Sequence, residues 1–323
     1  MNEHFIKNIE IRNFKCFKDF KDFKAKGFNR VNLIGGKNNV GKTAFMEACY
    51  INSRSMNIKN FIGSLYEIKY MRENLNILDD NNIKNVRKFI ERSNGINISS
   101  NINNSSFKIQ EEEGIKLYDF KFNKQHIHVN MNDFSYEIDS INNIVFIDSF
   151  GLSNGNIINI YSAIQKKDKE AFLNTILKEF DNSIDAFKII DDFPQCKVND
   201  QWLEITELGD GARHIISIVT ALFQSENGYL FIDEPENGIH YTQLDKVWEI
   251  ILNLSKEQNV QVFATTHSKE CIESYARVAK KLEDKEITYT ILSRLKNGGI
   301  HAGVYDSSML VNTIEQDHEL RGW

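Results

Sequence analysis

Proline, cysteine and long apolar runs are scarce in this 323-residue sequence, and each shortage excludes a class of protein. Its two prolines are accompanied by many asparagines, lysines and isoleucines, which is typical of a coding bias. Its four cysteines form no C-x-x-C pair, so neither a zinc ribbon nor a disulfide framework is predicted. The most apolar run, residues 215–223, is too short to span a bilayer, and the N-terminus lacks the layout of a secretory signal. We therefore expect a cytoplasmic protein with reduced thiols and no membrane partner.

Charge is moderate and slightly acidic. The formal net charge is -6 and the isoelectric point is near 5.8, which argues against broad electrostatic wrapping of nucleic acid but leaves room for a local basic groove. Hydrophobic residues make up 41% and charged residues 26%, as in ordinary globular proteins. The length predicts one large domain or two small ones.

Apolar segments alternate with helical patterns over most of the chain. This order predicts a mostly parallel sheet flanked by helices, hence an α/β fold. Residues 56–140 are polar, begin helical and continue as short strands, so they are interpreted as a small α+β insertion. The predicted domains are 1–55 and 141–323, which form the two parts of one head, and the insertion 56–140 between them.

A phosphate-binding loop is predicted near the N-terminus. The sequence GKNNVGKT, from Gly36 to Thr43, fits the pattern G-x-x-x-x-G-K-T, follows an apolar strand and opens a helix. Lys42 is expected to reach the β and γ phosphates, and the Thr43 hydroxyl is expected to hold Mg²⁺. The predicted nucleotide-binding residues of this loop are Gly36, Asn38, Asn39, Val40, Gly41, Lys42, Thr43 and Ala44.

Two later apolar strands end in polar side chains suited to the same chemistry. The first ends in Asp233 and Glu234, and we expect Asp233 to support Mg²⁺ and Glu234 to act as the general base for water. Strand alternation predicts that Glu234 points away from the metal. The second strand ends near His267, which could donate to a γ phosphate and sense its departure.

A second glycine-flanked helix entry lies at residues 207–214, ELGDGARH. The backbone N–H groups of a helix N-terminus form an anion site, so Gly209, Asp210 and Gly211 are predicted to contact a nucleotide. Capping of the helix by Asp210 is the structural alternative, and it explains the two glycines less well.

Two further patterns have plain structural interpretations. Phenylalanines at 14, 17, 20 and 23 alternate with lysines, which predicts a small sheet with the rings inside, although a basic aromatic patch for nucleic acid is the alternative. His126 and His128 lie on one face of a short strand and could bind a metal. The sequence shows no third ligand near them, so an exposed or half-packed pair is predicted.

The assembled motifs resemble the ABC-type ATPases of the SMC, RecF and OLD (overcoming lysogenization defect) group. The resemblance covers residues 1–55 and 141 to about 280, and it includes the N-terminal strand IEIRNFK, the loop GKNNVGKT, the signature-like LGDGA, the strand LFIDEPENGIH and the strand ATTHS in the order of the family. It implies a P-loop ATPase head with an antiparallel N-terminal β-subdomain, and ATP and Mg²⁺ as cofactors.

The resemblance also implies an assembly. It makes residues 237–239 a D-loop, His267 the switch histidine, and the signature segment a closure over the nucleotide of a second copy, so a homodimer with sandwiched ATP is expected. Departures from the family are the sequence LGDGA in place of L-S-G-G-Q, which disfavours transport, and Asp148 and Ser149 where a Q-loop glutamine is expected.

A separate effector protein is implied as well. Residues 56–140 show no sustained heptads, and the sequence contains no Asp-x-Asp pair for the two-metal chemistry of a Toprim nuclease. The chain therefore resembles the OLD-like ATPase subunits of two-gene phage-defence systems such as PARIS, whose partner is a Toprim protein. The alternative is a RecF-like repair or recombination ATPase that binds DNA through Lys15, Lys18, Lys21 and Lys24. A standalone nuclease is disfavoured by the missing carboxylate pair.

Overall fold

The computed structural model of the protein describes residues 4–17, 23–73, 95–112, 115–130 and 141–316. It separates into two units. The first unit contains Met1–Phe28, Asn38–Ile141 and Leu292–Val304. The second unit contains Asn29–Lys37, Asn142–Ile291 and Tyr305–Trp323.

Strands and helices of the described residues are numbered in chain order. The strands are β1 (Asn8–Arg12), β2 (Phe23–Lys26), β3 (Val31–Gly36), β4 (Ile96–Ser100), β5 (Asn104–Glu112), β6 (Ile115–Phe122), β7 (Gln125–Asn130), β8 (Ile144–Ile147), β9 (Ile184–Ile190), β10 (Phe193–Val198), β11 (Gln201–Glu204), β12 (Tyr229–Asp233), β13 (Gln261–Thr265), β14 (Ile287–Arg294) and β15 (Ile300–Asp306). The helices are α1 (Lys42–Arg54), α2 (Ile58–Glu73), α3 (Asn154–Gln165), α4 (Glu170–Phe180), α5 (Asp210–Gln224), α6 (Leu244–Glu257), α7 (Lys269–Lys281) and α8 (Ser307–Glu315). Short 3₁₀ turns occur at Ile205–Glu207 and Tyr241–Gln243.

An antiparallel sheet of six strands forms most of the first unit. Its order is β2-β1-β4-β5-β6-β7, and every neighbouring pair is antiparallel. Helix α2 contacts β6 and β7, where Phe61 packs edge-on against Phe120, and Phe107 packs on the same ring. These buried rings leave the other face of the sheet to polar side chains, because successive residues of a strand alternate between faces.

The N-terminal phenylalanines lie inside, as predicted. Phe14, Phe17 and Phe23 are buried, and Phe17 packs on Phe23 with ring centroids 4.6 Å apart. Of the alternating lysines, Lys24 is exposed and Lys15 is half-buried. Phe20, Lys18 and Lys21 fall outside the described residues.

Four neighbouring parallel strands, β3, β13, β12 and β8, form most of the second unit's main sheet. The whole sheet has the order β15-β14-β3-β13-β12-β8, and the hairpin of β14 and β15 is divided between the two units. β12 pairs in parallel with β8 and β13, and β13 pairs in parallel with β3. Buried positions run without a gap along β3, β12 and β13, as expected for strands covered on both faces. The predicted α/β class is confirmed.

Two local details differ from a simple reading of the sequence. Residues 154–180 form α3 and α4 with a break at Lys166–Lys169, because Asp168 adopts φ 52 and both Lys167 and Lys169 donate their N–H groups to Ile164 O. Pro194 lies in β10, the middle strand of a small sheet with order β11-β10-β9. It is tolerated there because β11 pairs only from Gln195 onward.

The segment predicted as an insertion, 56–140, contributes α2 and the strands β4 to β7, and these four strands continue the sheet begun by β1 and β2. The division into domains stays a prediction. Within the described part of the chain, no helix combines the length and apolar character needed to cross a bilayer.

Candidate functional site

The phosphate loop leaves the end of β3 and enters α1, as predicted. Glycine is favoured at three points of this path, one of which is Gly36 with φ 137. A Cβ on Gly35 would lie 2.0 Å from the Tyr289 hydroxyl, and one on Gly41, whose φ is 109, would lie 2.5 Å from Cys16 Sγ. Asn39 also adopts a left-handed conformation, with φ 61. The tight curl of this backbone is the form that brings N–H groups around an anion.

The predicted residues of the loop differ in exposure. Gly36 is buried at the end of β3, Asn38 and Asn39 are exposed, and Val40 and Ala44 are buried. The remaining three, Gly41, Lys42 and Thr43, are half-buried. Because Gly41 is the N-cap of α1, no side chain caps the first turn, which suits a helix N-terminus that holds a phosphate.

The end of β12 carries the two predicted carboxylates. Asp233 is the last residue of the strand and is 9% exposed, and the Thr265 hydroxyl of β13 donates a hydrogen bond to its Oδ1. The Glu234 N–H donates to the Thr265 carbonyl at 3.1 Å. Glu234 adopts φ 56, so the direction of its side chain follows from a left-handed turn and not from strand alternation.

His267 lies beside Glu234. Its Nδ1 is 2.8 Å from Glu234 Oε1, and the two side chains are 51% and 32% exposed. The sequence analysis related His267 to a phosphate, whereas the structure adds a direct contact with the predicted base. Strand β13 produces this contact because it pairs in register with β12 and ends at the same edge of the sheet.

The start of the phosphate loop lies at this same edge. In the register of the parallel strands, Thr265 is opposite both Asp233 of β12 and Ile34 of β3, and the Thr266 N–H donates to the Ile34 carbonyl at 2.9 Å. The carboxyl end of β3, which continues into Gly35 and Gly36, therefore lies one strand away from the carboxylates. Ligands of α/β proteins bind at such strand ends.

Sequence reasoning missed three side chains that support this edge. Thr265 holds Asp233, and the Thr266 hydroxyl donates to Glu236 Oε1. Burial raises the pKa of Glu236. The sequence alone does not single out Glu236, because an Asp-Glu-Pro-Glu run reads the same whether its last carboxyl is buried or exposed.

The signature-like segment has two glycines for two different reasons. Gly209 is exposed, adopts φ 85 and is the N-cap of α5, so Asp210 is the first helical residue and does not cap the helix through its side chain. Gly211 is required by close approach, because a Cβ there would lie 2.7 Å from the Gly238 carbonyl. The start of α5 thus packs against residues 237–239, the segment that the family resemblance makes a D-loop.

Residues 148–150, where no Q-loop glutamine was found, connect to the same segment. The Asn237 side-chain amide donates to the Ser149 carbonyl, and the Phe150 N–H donates to Asp148 Oδ1 at 2.8 Å. Segments 148–150, 209–211 and 237–239 therefore share one network of contacts within the second unit.

Oxygen ligands suited to magnesium are present in the phosphate loop and at the end of β12. Mg²⁺ prefers carboxylate, hydroxyl and phosphate oxygens, and Asp233 and Thr43 offer the first two. The loop backbone, with its required glycines and uncapped helix start, suits the phosphates of a nucleotide. Each of the two segments, taken by itself, thus has the chemistry for its part of a magnesium nucleotide.

The histidine pair outside this edge requires a correction. The prediction that no third ligand lies near His126 and His128 is wrong, because Asp119 on β6 contacts both. Periodicity within β7 could not show this, since Asp119 reaches the pair across the sheet. Both histidines are exposed, as predicted.

Sequence comparison identifies an ATPase domain and a relative of similar length. Residues 152–272 match the family model described as AAA ATPase domain. A Helicobacter pylori protein named ATP/GTP phosphatase is 26% identical over 331 aligned residues, which cover 85% of this chain and 89% of the relative.

Structural comparison shows the fold. The SMC head bound to the C-terminal winged-helix domain of ScpA aligns with a TM-score of 0.54 at 10% identity, covering 94% of this chain and 98% of that chain. An SMC head with an extended coiled coil, bound to the C-terminal domain of ScpA derived from Pyrococcus furiosus, aligns with a TM-score of 0.53 at 11% identity over 97% of this chain and 99% of that chain. The protein has an SMC head-like α/β fold.

Proposed function

We propose that this protein hydrolyses ATP to ADP and phosphate in the cytoplasm, acts as a homodimer, and uses its nucleotide state to control a separate effector protein. The observation that best supports this proposal is the shared edge of the parallel sheet. There β3 continues into the phosphate loop, β12 ends at Asp233 with Glu234 directly after it, and β13 leads to His267. Three strand ends with complementary chemistry are what phosphoryl transfer to water needs, because its catalysis is mainly positioning and charge stabilisation.

Each side chain has a role in this reaction. Lys42 binds the β and γ phosphates, and the loop backbone orients them. Thr43 and Asp233 would be the ligands of magnesium, which would supply positive charge to the phosphates. Glu234 accepts a proton from the attacking water, and His267 holds the Glu234 carboxylate through Nδ1. Donation from the same ring to a phosphate oxygen needs an N–H at Nε2 as well, which only the doubly protonated ring carries together with the Nδ1 N–H.

The homodimer rests on the signature-like segment. Gly209 and Asp210 are exposed at the start of α5, and the adjacent residues 237–239 contact the same helix start. A helix N-terminus with exposed residues favours an anion from outside the unit. We propose that it closes on the γ phosphate held by a second copy, as the family resemblance implies.

Control of an effector is the broadest part of the proposal. The sequence contains an ordered set of ATPase motifs and no Asp-x-Asp pair for nuclease chemistry. Both solved SMC heads named above are bound to a domain of another protein, ScpA. A phage-defence assembly with a Toprim nuclease as its effector fits the resemblance to OLD-like subunits.

DNA binding is the second candidate, and two of its four lysines, those within the described residues, form ion pairs. Lys15 forms an ion pair with Glu47, and Lys24 forms one with Glu10. Such pairs reduce the charge available to a phosphate backbone. Stimulation of hydrolysis by duplex DNA, with a steep dependence of binding on salt, would favour this candidate.

The site is tested by two variants. Glu234→Gln should bind ATP like the unmodified protein and lose hydrolysis by about 100-fold or more, which is the usual contribution of a general base. Lys42→Ala should weaken ATP binding itself. Fluorescent nucleotide titration and phosphate release measure the two effects separately.

The matched control is Glu257→Gln, at the exposed C-terminal end of α6. It should leave both quantities unchanged. Near-normal turnover in Glu234→Gln would remove Glu234 as the base. For the effector, co-purification with the products of adjacent genes is decisive, because a failure of every neighbour to bind or to show ATP-dependent activity would refute the regulatory role.

A further inference from the structure

Three metal-ligating side chains converge on the polar face of the hairpin β6–β7. The hairpin turns at residues 123–124, and Phe122 pairs with Gln125 immediately before and after the turn. This register places Asp119 directly opposite His128, with His126 two pairs closer to the turn. Because alternate residues of a strand share a face, all three side chains lie on the same side of the sheet.

Their ligand atoms are close together. His126 Nε2 contacts Asp119 Oδ1, and His128 Nδ1 lies 3.8 Å from that same oxygen. The two imidazole rings have centroids 4.4 Å apart, and all three ligand atoms lie within 4.8 Å of one another. In a tetrahedral zinc site with bonds of about 2.0–2.1 Å, ligand atoms are about 3.3 Å apart, so small side-chain rotations would complete the geometry.

We propose that Asp119, His126 and His128 bind one divalent transition-metal ion of the zinc type. Two imidazole nitrogens and one carboxylate oxygen are ligands that zinc and its neighbours prefer, whereas magnesium and calcium prefer all-oxygen sites. Three protein ligands leave a fourth position of a tetrahedral ion for water or an anion. The exposed histidines, with side chains 42% and 54% accessible, give the ion a path from solvent.

Asp119 is suited to anchor the ion. The residue is only 6% exposed, so its carboxylate is fixed by the sheet while the histidines can adjust. Its second oxygen, Oδ2, faces the Lys121 ammonium at 3.8 Å, which orients the carboxylate with Oδ1 toward the histidines. Partners of this kind hold a ligand in position without coordinating the metal.

The site is independent of the proposed ATPase chemistry, since the ligands belong to the sheet of the first unit and include none of the residues assigned to the nucleotide. Metal binding requires deprotonated ligands, so the affinity should fall as the pH is lowered and uptake should release protons. The competing explanation is a hydrogen-bonded cluster in which two imidazoles share one carboxylate and no ion binds.

The test is calorimetric titration of tag-free protein with Zn²⁺, after removal of metals with a chelator. The unmodified protein should bind one ion per chain. His126→Ala and His128→Ala should each weaken binding about tenfold or more, and the double variant should abolish this stoichiometric site. His301→Ala, an exposed histidine on β15, is the matched control and should bind like the unmodified protein.

Two results would overturn the proposal: no stoichiometric binding by the unmodified protein, or equal binding by the double variant. Thermal unfolding in chelator verifies that the variants fold. Substitution of Co²⁺ gives a second measurement that needs no variant, because tetrahedral cobalt with nitrogen and oxygen ligands has an intense visible absorption that octahedral aqueous cobalt lacks. Absence of this change on Co²⁺ addition would count against the site.

Discussion

Glu236 shows how a single buried carboxyl can connect the end of one strand to the next. It lies three residues after Asp233, accepts a hydrogen bond from the Thr266 hydroxyl, and has its pKa raised by burial. Thr266 directly precedes His267, which contacts Glu234. We therefore infer that Glu236 is a positioning residue that keeps the β12 and β13 ends aligned.

This role predicts a contrast between two substitutions. Glu236→Gln keeps a side-chain oxygen that can accept from Thr266, so turnover should stay near normal. Glu236→Ala removes the acceptor, and kcat should fall about tenfold, or about 1.4 kcal/mol in the barrier, with little change in KM. Steady-state phosphate release distinguishes the two variants. Equal losses in both would show that the carboxyl itself is required.

His214 predicts sensitivity of the fold to acid. Burial lowers the pKa of this histidine from 6.5 to about 4, and the Asp210 charge opposes the effect in part. A lowered folded-state pKa contributes stability above the unfolded pKa, and this stability is lost as the pH falls from about 6.5 to about 4. The difference corresponds to about 3 kcal/mol at full titration.

His214→Leu should remove this contribution. The unfolding free energy of the unmodified protein minus that of the variant should therefore decrease as the pH falls from about 7.5 to about 4.5. Urea unfolding at several pH values measures the difference. His301→Leu, at an exposed position, is the matched control for replacing a histidine by leucine. Parallel curves for His214→Leu would contradict the assignment.

At the scale of elements, the packing of helix α5 against the segment 237–239 depends on the absence of a side chain at Gly211. A Cβ there would lie 2.7 Å from a backbone carbonyl, which cannot move away as a flexible side chain would. Gly211→Ala should therefore destabilise the protein by about 1–3 kcal/mol. Gly155→Ala in α3 is the opposite case, because no atom lies within 4 Å of the added Cβ.

The pair of glycine variants should change stability in opposite directions. Gly155→Ala should stabilise by about 0.5–1 kcal/mol, since alanine loses less backbone entropy in a helix. Thermal unfolding of the two proteins side by side gives the comparison. A Gly211→Ala protein as stable as the unmodified one would mean that the close approach to Gly238 relaxes at no cost.

Much of this arrangement could be predicted at the level of elements and less at the level of contacts. The phosphate loop, the ends of β12 and β13, and α5 follow from local patterns, because apolar periodicity and glycine-rich turns depend on neighbouring residues. The contact of His267 with Glu234, the approach of Gly238 to Gly211, and the position of Asp119 beside His128 depend on strand register and packing. Those are long-range properties that no local pattern contains.

At the scale of the whole molecule, the central question is assembly, and the structure changes how it should be tested. A bulky residue at Gly211 would disturb the protein's own contact with Gly238, so loss of a dimer in such a variant would not be informative. Asp210 is exposed and does not cap α5 with its side chain. Replacing it changes the surface with little effect on packing, at a helix-dipole cost of about 0.3–1 kcal/mol.

Glu234→Gln protein should therefore become dimeric on addition of ATP and magnesium, because nucleotide binding persists while hydrolysis is blocked. Adding Asp210→Arg should abolish the dimer, since a long cation would occupy the entry of the γ phosphate and crowd the facing copy. Light scattering during size-exclusion chromatography measures the mass of the complex.

Glu257→Arg in the same background is the control. Glu257 is the last residue of α6, which precedes the start of β13, so it lies away from the carboxyl ends of the strands. If the mass of the Glu234→Gln protein does not depend on nucleotide, the sandwich dimer is refuted. If the protein that also carries Asp210→Arg still forms dimers with ATP, the interface lies away from the signature segment.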